Sequence, residues 1–179
     1  MMKMPERAKP RWLSVINFVL IKVAWVACVV GGTLPGALVI SVMLVLCFYQ
    51  GRWQRERKFV FGLTALGLVL DSAWIYLGIL DFGPNTVQIA GLALPPFWIL
   101  FLWVAVGLSL FEALGFLVRR PLIGAVIVGV TAPLSYSTGA QLGAVVVPST
   151  SMLMVIALVW MVVFAVVFET ARRAQQTNE

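Results

Sequence analysis

The chain has 179 residues, 61% of them hydrophobic and 11% charged, with a formal net charge of +6 and no histidine. A soluble domain carries roughly 25% charged and about 45–50% apolar residues, so this composition excludes an ordinary soluble domain and points to a membrane protein. His-dependent serine proteolysis is excluded. With only Cys28 and Cys47 as thiols and no dense carboxylate set, neither a metal site nor a cofactor is expected.

Residues 1–11 carry Lys3, Arg7, Lys9 and Arg11 with two prolines. The apolar run that follows is too long for a signal-peptide core and lacks a small-residue cleavage site. It reads as a retained first span over 12–32. Gly31-Gly32-Thr33-Leu34-Pro35-Gly36 predicts a tight turn, followed by a second span over 35–50 that closes on the interfacial pair Phe48-Tyr49. A basic loop, Arg52 to Lys58, leads into a third span over 59–80. Residues 81–95 predict a loop without Lys or Arg. The fourth span covers 96–118 and closes at Arg119-Arg120-Pro121; the fifth covers 122–140 and contains Pro133; the sixth covers 151–169, before Arg172 and Arg173.

These runs predict an all-α integral membrane protein: one domain, 1–179, of six transmembrane helices. Of the 13 Lys and Arg residues, all but Lys22 fall before span one, between spans two and three, between four and five, or after six. The positive-inside bias then places both termini in the cytoplasm. The basic residues orient the chain and meet anionic lipid headgroups, so the expected partners are membrane lipids and not nucleic acid. The expected location is a bacterial inner membrane.

Ionisable residues within the spans are Lys22, Asp71 and Glu112, with Asn17 as the main added amide. An ionisable residue at membrane depth marks a site by default. Asp71 lies on a stripe, Thr64, Gly67, Asp71, Trp74 and Gly78, at helical spacing. Small and polar residues on a spanning helix face other helices or a cavity. At ~1.5 Å rise per residue, depth pairs Lys22 with Asp71 and Asn17 with Glu112. Two readings compete: a structural lock in which Lys22 neutralises a carboxylate, and a polar cavity that binds a headgroup or passes a proton. One cation with two carboxylates leaves a surplus negative charge, which favours the cavity. Glu112 is too shallow to share a proton with Asp71, which argues against an aspartyl-protease dyad, and there is no phosphate-binding glycine loop.

The other unusual stretch is Gly129 to Gly143, where Pro133 removes a backbone bond to residue 129. A kink is expected there, with Ser135, Tyr136, Ser137, Thr138 and Gln141 either lining a cavity beside a broken helix or ending a frayed helix at the interface.

Asn17-Phe18 with Trp25, Cys28 and Gly31, then Leu70-Asp71-Ser72, Leu114-Gly115, and Pro133-Leu134-Ser135-Tyr136 with Gly139-Ala140 and Leu142-Gly143 form a recognisable order. It resembles a family of small bacterial multi-pass inner-membrane proteins known as a domain of unknown function, over about residues 14–170. That resemblance carries no activity. Members are often encoded beside lipid-modifying enzymes, which implies a role in envelope lipid metabolism. The chain departs from the family pattern at Lys22, where an amide is commoner, and at Phe111-Glu112-Ala113, where Asn-His-Ser is commoner. The stronger candidates are therefore Asn17, Asp71, Ser72, Ser135 and Tyr136, with Lys22 and Glu112 behind them.

The expected function is binding or transport of an amphiphilic or lipid-linked molecule, alone or as a subunit beside other membrane proteins. The alternatives are a vitamin-transporter substrate-binding subunit, a lipid-modifying enzyme using Asp71, and a structural assembly factor. A transporter requires a cavity reaching Asp71, an enzyme a second polar group beside it, and a scaffold a filled interior.

Overall fold

The computed structural model describes residues 11–177; Lys3, Arg7 and Lys9 of the basic start lie outside the described residues. The chain forms helices α1 (Arg11–Gly31), α2 (Thr33–Tyr49), α3 (Trp53–Tyr76), α4 (Phe97–Ser109), α5 (Gly115–Val118), α6 (Pro121–Gln141) and α7 (Thr150–Gln176). Strands β1 (Val87–Ile89) and β2 (Leu92–Leu94) lie between α3 and α4. Four helices, α1, α3, α6 and α7, are long and apolar enough to cross a membrane; α2 and α4 are shorter apolar helices.

Several expected boundaries move. The third helix starts at Trp53 rather than 59, because the basic segment continues as helix with Glu56 in its first turn, where a carboxylate suits the helix dipole. It stops at Tyr76 rather than 80, since Gly78 turns the chain at φ 65°. Residues 81–95 are not a plain loop. β1 and β2 pair antiparallel, Val87 with Leu94 and Ile89 with Leu92. Their turn at Ala90-Gly91 has φ of 50° and 80°, the geometry of a tight two-residue hairpin.

The expected fourth span, 96–118, is split. In a continuous helix the Leu108 carbonyl would accept from the Glu112 N–H. Instead it accepts from Asn17 Nδ2 and Arg52 Nη1, both at 3.3 Å. The Glu112 and Leu114 N–H groups bond to the Ser109 carbonyl, a mixture of tight and wide turns that ends α4 and leads to α5. The fifth span is not broken: α6 runs unbroken through Pro133. Gly129 accommodates the ring in sequence and also meets α7 closely, where an added Cβ would lie 3.0 Å from Met161.

The helices fall into two groups. Helices α1 to α4 pack on one another, and α6 packs along α7 with α5 at its end. The groups meet through an aromatic stack of Trp103 on Trp160, with ring centroids 4.8 Å apart and planes at 30°. A backbone bridge between Asp81 and Val146 joins them at the hairpin end. The space between the two groups holds the candidate site.

Candidate binding site

Asp71 is fully buried on α3. One turn earlier, Gly67 has no side chain, and a Cβ there would run into the Trp103 indole. This absence lets Trp103 of α4 lie flat across α3. Its Nε1 then reaches Asp71 Oδ2 at 2.8 Å. Tyr136 of α6 donates its hydroxyl to Asp71 Oδ1 at 3.1 Å. The carboxylate is therefore held by one donor from each helix group. Beside it, Trp25 Nε1 of α1 donates to Ser135 Oγ of α6 at 2.8 Å.

These groups face a cavity of about 500 Å³ that reaches from Asp71 to the gap between α1 and α6. Its walls are mainly apolar and aromatic, with Trp25, Trp98, Trp103 and Trp160 among them; the polar groups include Asp71, Tyr136, Ser135 and Lys22. Rim residues such as Leu134 are well exposed, Leu134 at 62%, so the cavity opens through the side of the bundle. A largely apolar cavity of this size with a few placed polar groups is the usual form of a small-molecule site.

Lys22 does not pair with Asp71. It is exposed at the cavity rim, and its Nζ lies over the Phe18 ring, 5.3 Å from the centroid. Helix side chains lean toward the N-terminus, and a lysine stem lies along apolar surface. Lys22 therefore bends back one turn and leaves the carboxylate to neutral donors. Ser72 follows Asp71 on α3, but its buried Oγ has no hydrogen-bond partner among the described residues, and it does not line the cavity.

Asn17 and Glu112 also fail to pair, and both belong to a second cluster at the other end of α4. Asn17 donates to the Leu108 carbonyl, and its Oδ1 has no partner among the described residues. Glu112 accepts from Arg55 Nη2 at 2.9 Å. Glu56, fully buried, takes two bonds from Arg52 Nη1 at 2.6 and 2.8 Å. It also accepts from Cys47 Sγ at 3.3 Å and from Arg55 at 3.2 Å. Arg52, Arg55 and Glu56, expected in a basic loop, instead form the centre of this cluster. The available signal was the four-residue spacing of Arg52 and Glu56, which puts opposite charges on one helix face. Trp25 and Trp103 were also missed as donors. Among the described residues no three of His, Cys, Asp or Glu gather as metal ligands.

A family model described as Protein of unknown function (DUF2878) matches residues 14–166. No curated protein and no solved structure matches the chain.

Proposed function

The chain belongs to the DUF2878 family, a family of unknown function, and from its cavity geometry we propose that it binds an amphiphilic molecule taken up from the lipid phase. The single observation that carries this reading is the side-opening cavity of about 500 Å³ with Asp71 at its floor. An acyl or prenyl chain suits its apolar walls. A hydroxyl or amine on that molecule would donate to Asp71 by displacing the Tyr136 hydroxyl, since the fully buried carboxylate is covered by its two donors among the described residues. The interior is not filled, which argues against a pure scaffold.

The proposed setting is a bacterial inner membrane, crossed six times with both termini in the cytoplasm. Support comes from the basic residues, which gather in alternate connections, and from the apolar character of all six of the longer helices. A role in envelope lipid metabolism, by binding, by transport or as a subunit, follows from the same reading. One contact favours a second reading, a lipid-modifying enzyme: Tyr136 places a hydroxyl against Asp71 at a laterally open site.

The deciding experiment is comparative lipidomics of a deletion strain complemented with wild type, Asp71→Asn or Ala132→Phe, which fills the cavity wall. Both variants are expected at normal abundance without restoring the wild-type lipid profile. Full restoration by both would remove the site assignment. Accumulation of one lipid with loss of its chemically modified form would favour the enzyme over the carrier.

A further inference from the structure

A second cavity, of about 330 Å³, adjoins the first at the hairpin end of the bundle. Val29 and Trp98 line both, so the two spaces meet across these side chains. The second cavity has a different chemistry. It is walled by the end of α1 at Val30 and Gly31, by Thr33 and Asn85, and by Gly143 and Ala144 beyond α6. The C-terminal carbonyls of a helix lack intrahelical partners and carry partial negative charge, and here the end of α1 contributes; at the end of α6 the Thr138, Gly139 and Ala140 carbonyls already accept from Leu142, Ala144 and Gly143. Phe97 and Trp98, the first residues of α4, line it as well, and the first N–H groups of a helix are donors without intrahelical partners. Thr33 adds a hydroxyl and Asn85 an amide. Among the described residues no Lys, Arg, Asp or Glu side chain lines the space.

A lining that both donates and accepts hydrogen bonds, without charge, matches a group that does the same. Hydroxyls do; an ionised phosphate only accepts and would face the partial negative charge at the end of α1. We infer that this outer cavity receives a neutral, hydroxyl-bearing headgroup, of the sugar or glycerol class, on the amphiphile whose chain fills the inner cavity. The inference rests on the proposed use of the inner cavity. An anionic headgroup would instead be drawn to Lys22 at the inner rim, leaving the outer space empty. The outer cavity, at about 330 Å³, falls in the ~300–1,000 Å³ range of small-molecule sites.

The test uses the purified full chain in detergent and two probes with identical dibrominated acyl chains, a monoglucosyl diacylglycerol and a phosphatidic acid. Binding is read as quenching of the cavity tryptophans. The glucosyl lipid is expected to bind at least about tenfold more tightly, with Kd taken from titration. Ala144→Phe, which intrudes only on the outer cavity, should abolish that preference without weakening the phosphatidic acid. Asn85→Ala, at an exposed position, should reduce it and serves if the larger substitution does not fold. Equal binding of the two probes, or a preference that survives both variants, overturns the inference and leaves the inner site standing. If neither probe quenches, or if Ala132→Phe in the inner wall has no effect on either, the underlying reading fails with it.

Discussion

Asp71 is a carboxylate on an apolar helix long enough to cross a membrane, with two neutral donors and, among the described residues, no cation in contact. A charge at the bilayer centre costs roughly 2.5–3.5 kcal/mol on insertion scales. A hydrogen bond to a charged group returns about 1.5–3 kcal/mol, so the Trp103 and Tyr136 bonds are of the right size to hold the carboxylate without Lys22. Lys22→Met is therefore expected to change unfolding stability in detergent by no more than about 0.5 kcal/mol, as for a surface substitution; a loss of several kcal/mol would mean an ion pair after all. Gly67→Ala should behave differently. Its Cβ would enter the space of the Trp103 ring, which is buried and stacked on Trp160. Overpacking of this kind costs about 1–3 kcal/mol, and the displaced indole loses its bond to Asp71, visible as a shift in tryptophan emission alongside the lower melting temperature. Asp71 itself was legible in the sequence, because a charge in an apolar run is expensive, and so was its stripe. Trp103 was not legible. A tryptophan within an apolar run looks like any core residue, and the glycine that admits its ring lies on another helix. The depth match of Lys22 and Asp71 was correct arithmetic on the wrong variable, since level residues interact only when their side chains converge.

The break after α4 is decided by side chains from two other helices. Asn17 from α1 and Arg52 from the start of α3 take the Leu108 carbonyl that would continue the helix. Hydropathy alone cannot show this, because residues 110–118 are as apolar as those before them, and the run reads as one span. At Pro133 the broken-helix alternative does not hold: the missing hydrogen bond affects one residue, and α6 runs as one helix packed along α7. Arg52 also neutralises the fully buried Glu56. Removing one member of a buried ion pair costs about 3–5 kcal/mol, whereas replacing both by apolar residues is often neutral. Arg52→Leu is thus expected to lower stability by several kcal/mol and to reduce abundance in the membrane, and the double variant with Glu56→Leu should recover most of the loss. Denaturant titration of the two singles and the double gives the coupling directly. Additive losses would mean that Arg52 acts through the Leu108 carbonyl and not through Glu56.

Across the whole molecule, the lengths of α2 and α4 bear on whether the chain crosses the membrane six times. At 17 and 13 residues and ~1.5 Å per residue, α2 falls a little short of a ~30 Å hydrocarbon core and α4 clearly short. A crossing at α4 therefore requires the turn at 110–114 and α5 to complete it. Irregular backbone is tolerated at that depth only where it is buried in protein or lines a water-filled space. Here Leu110 is fully buried, and the freed Leu108 carbonyl is satisfied by Asn17 and Arg52. The alternative is a re-entrant α4 that returns to the side it entered from. These geometries place Arg119 on opposite faces of the membrane relative to Asn85. Single cysteines at Asn85, Ser149, Arg57 and Arg119 separate them, since both native thiols are buried and should stay unreactive in the folded protein. In intact cells a membrane-impermeant maleimide is expected to label Asn85→Cys and Ser149→Cys. Arg57→Cys and Arg119→Cys should react only after permeabilisation. Labelling of Arg119→Cys together with Asn85→Cys would make α4 re-entrant, put α6 and α7 in the opposite orientation, and contradict the charge bias of the connections. The expected pattern would instead place the outer cavity, which Asn85 and the turn after α6 both line, on the side away from the cytoplasm. A headgroup entering there would travel with its chain from the outer leaflet, which sets the face from which the site is loaded.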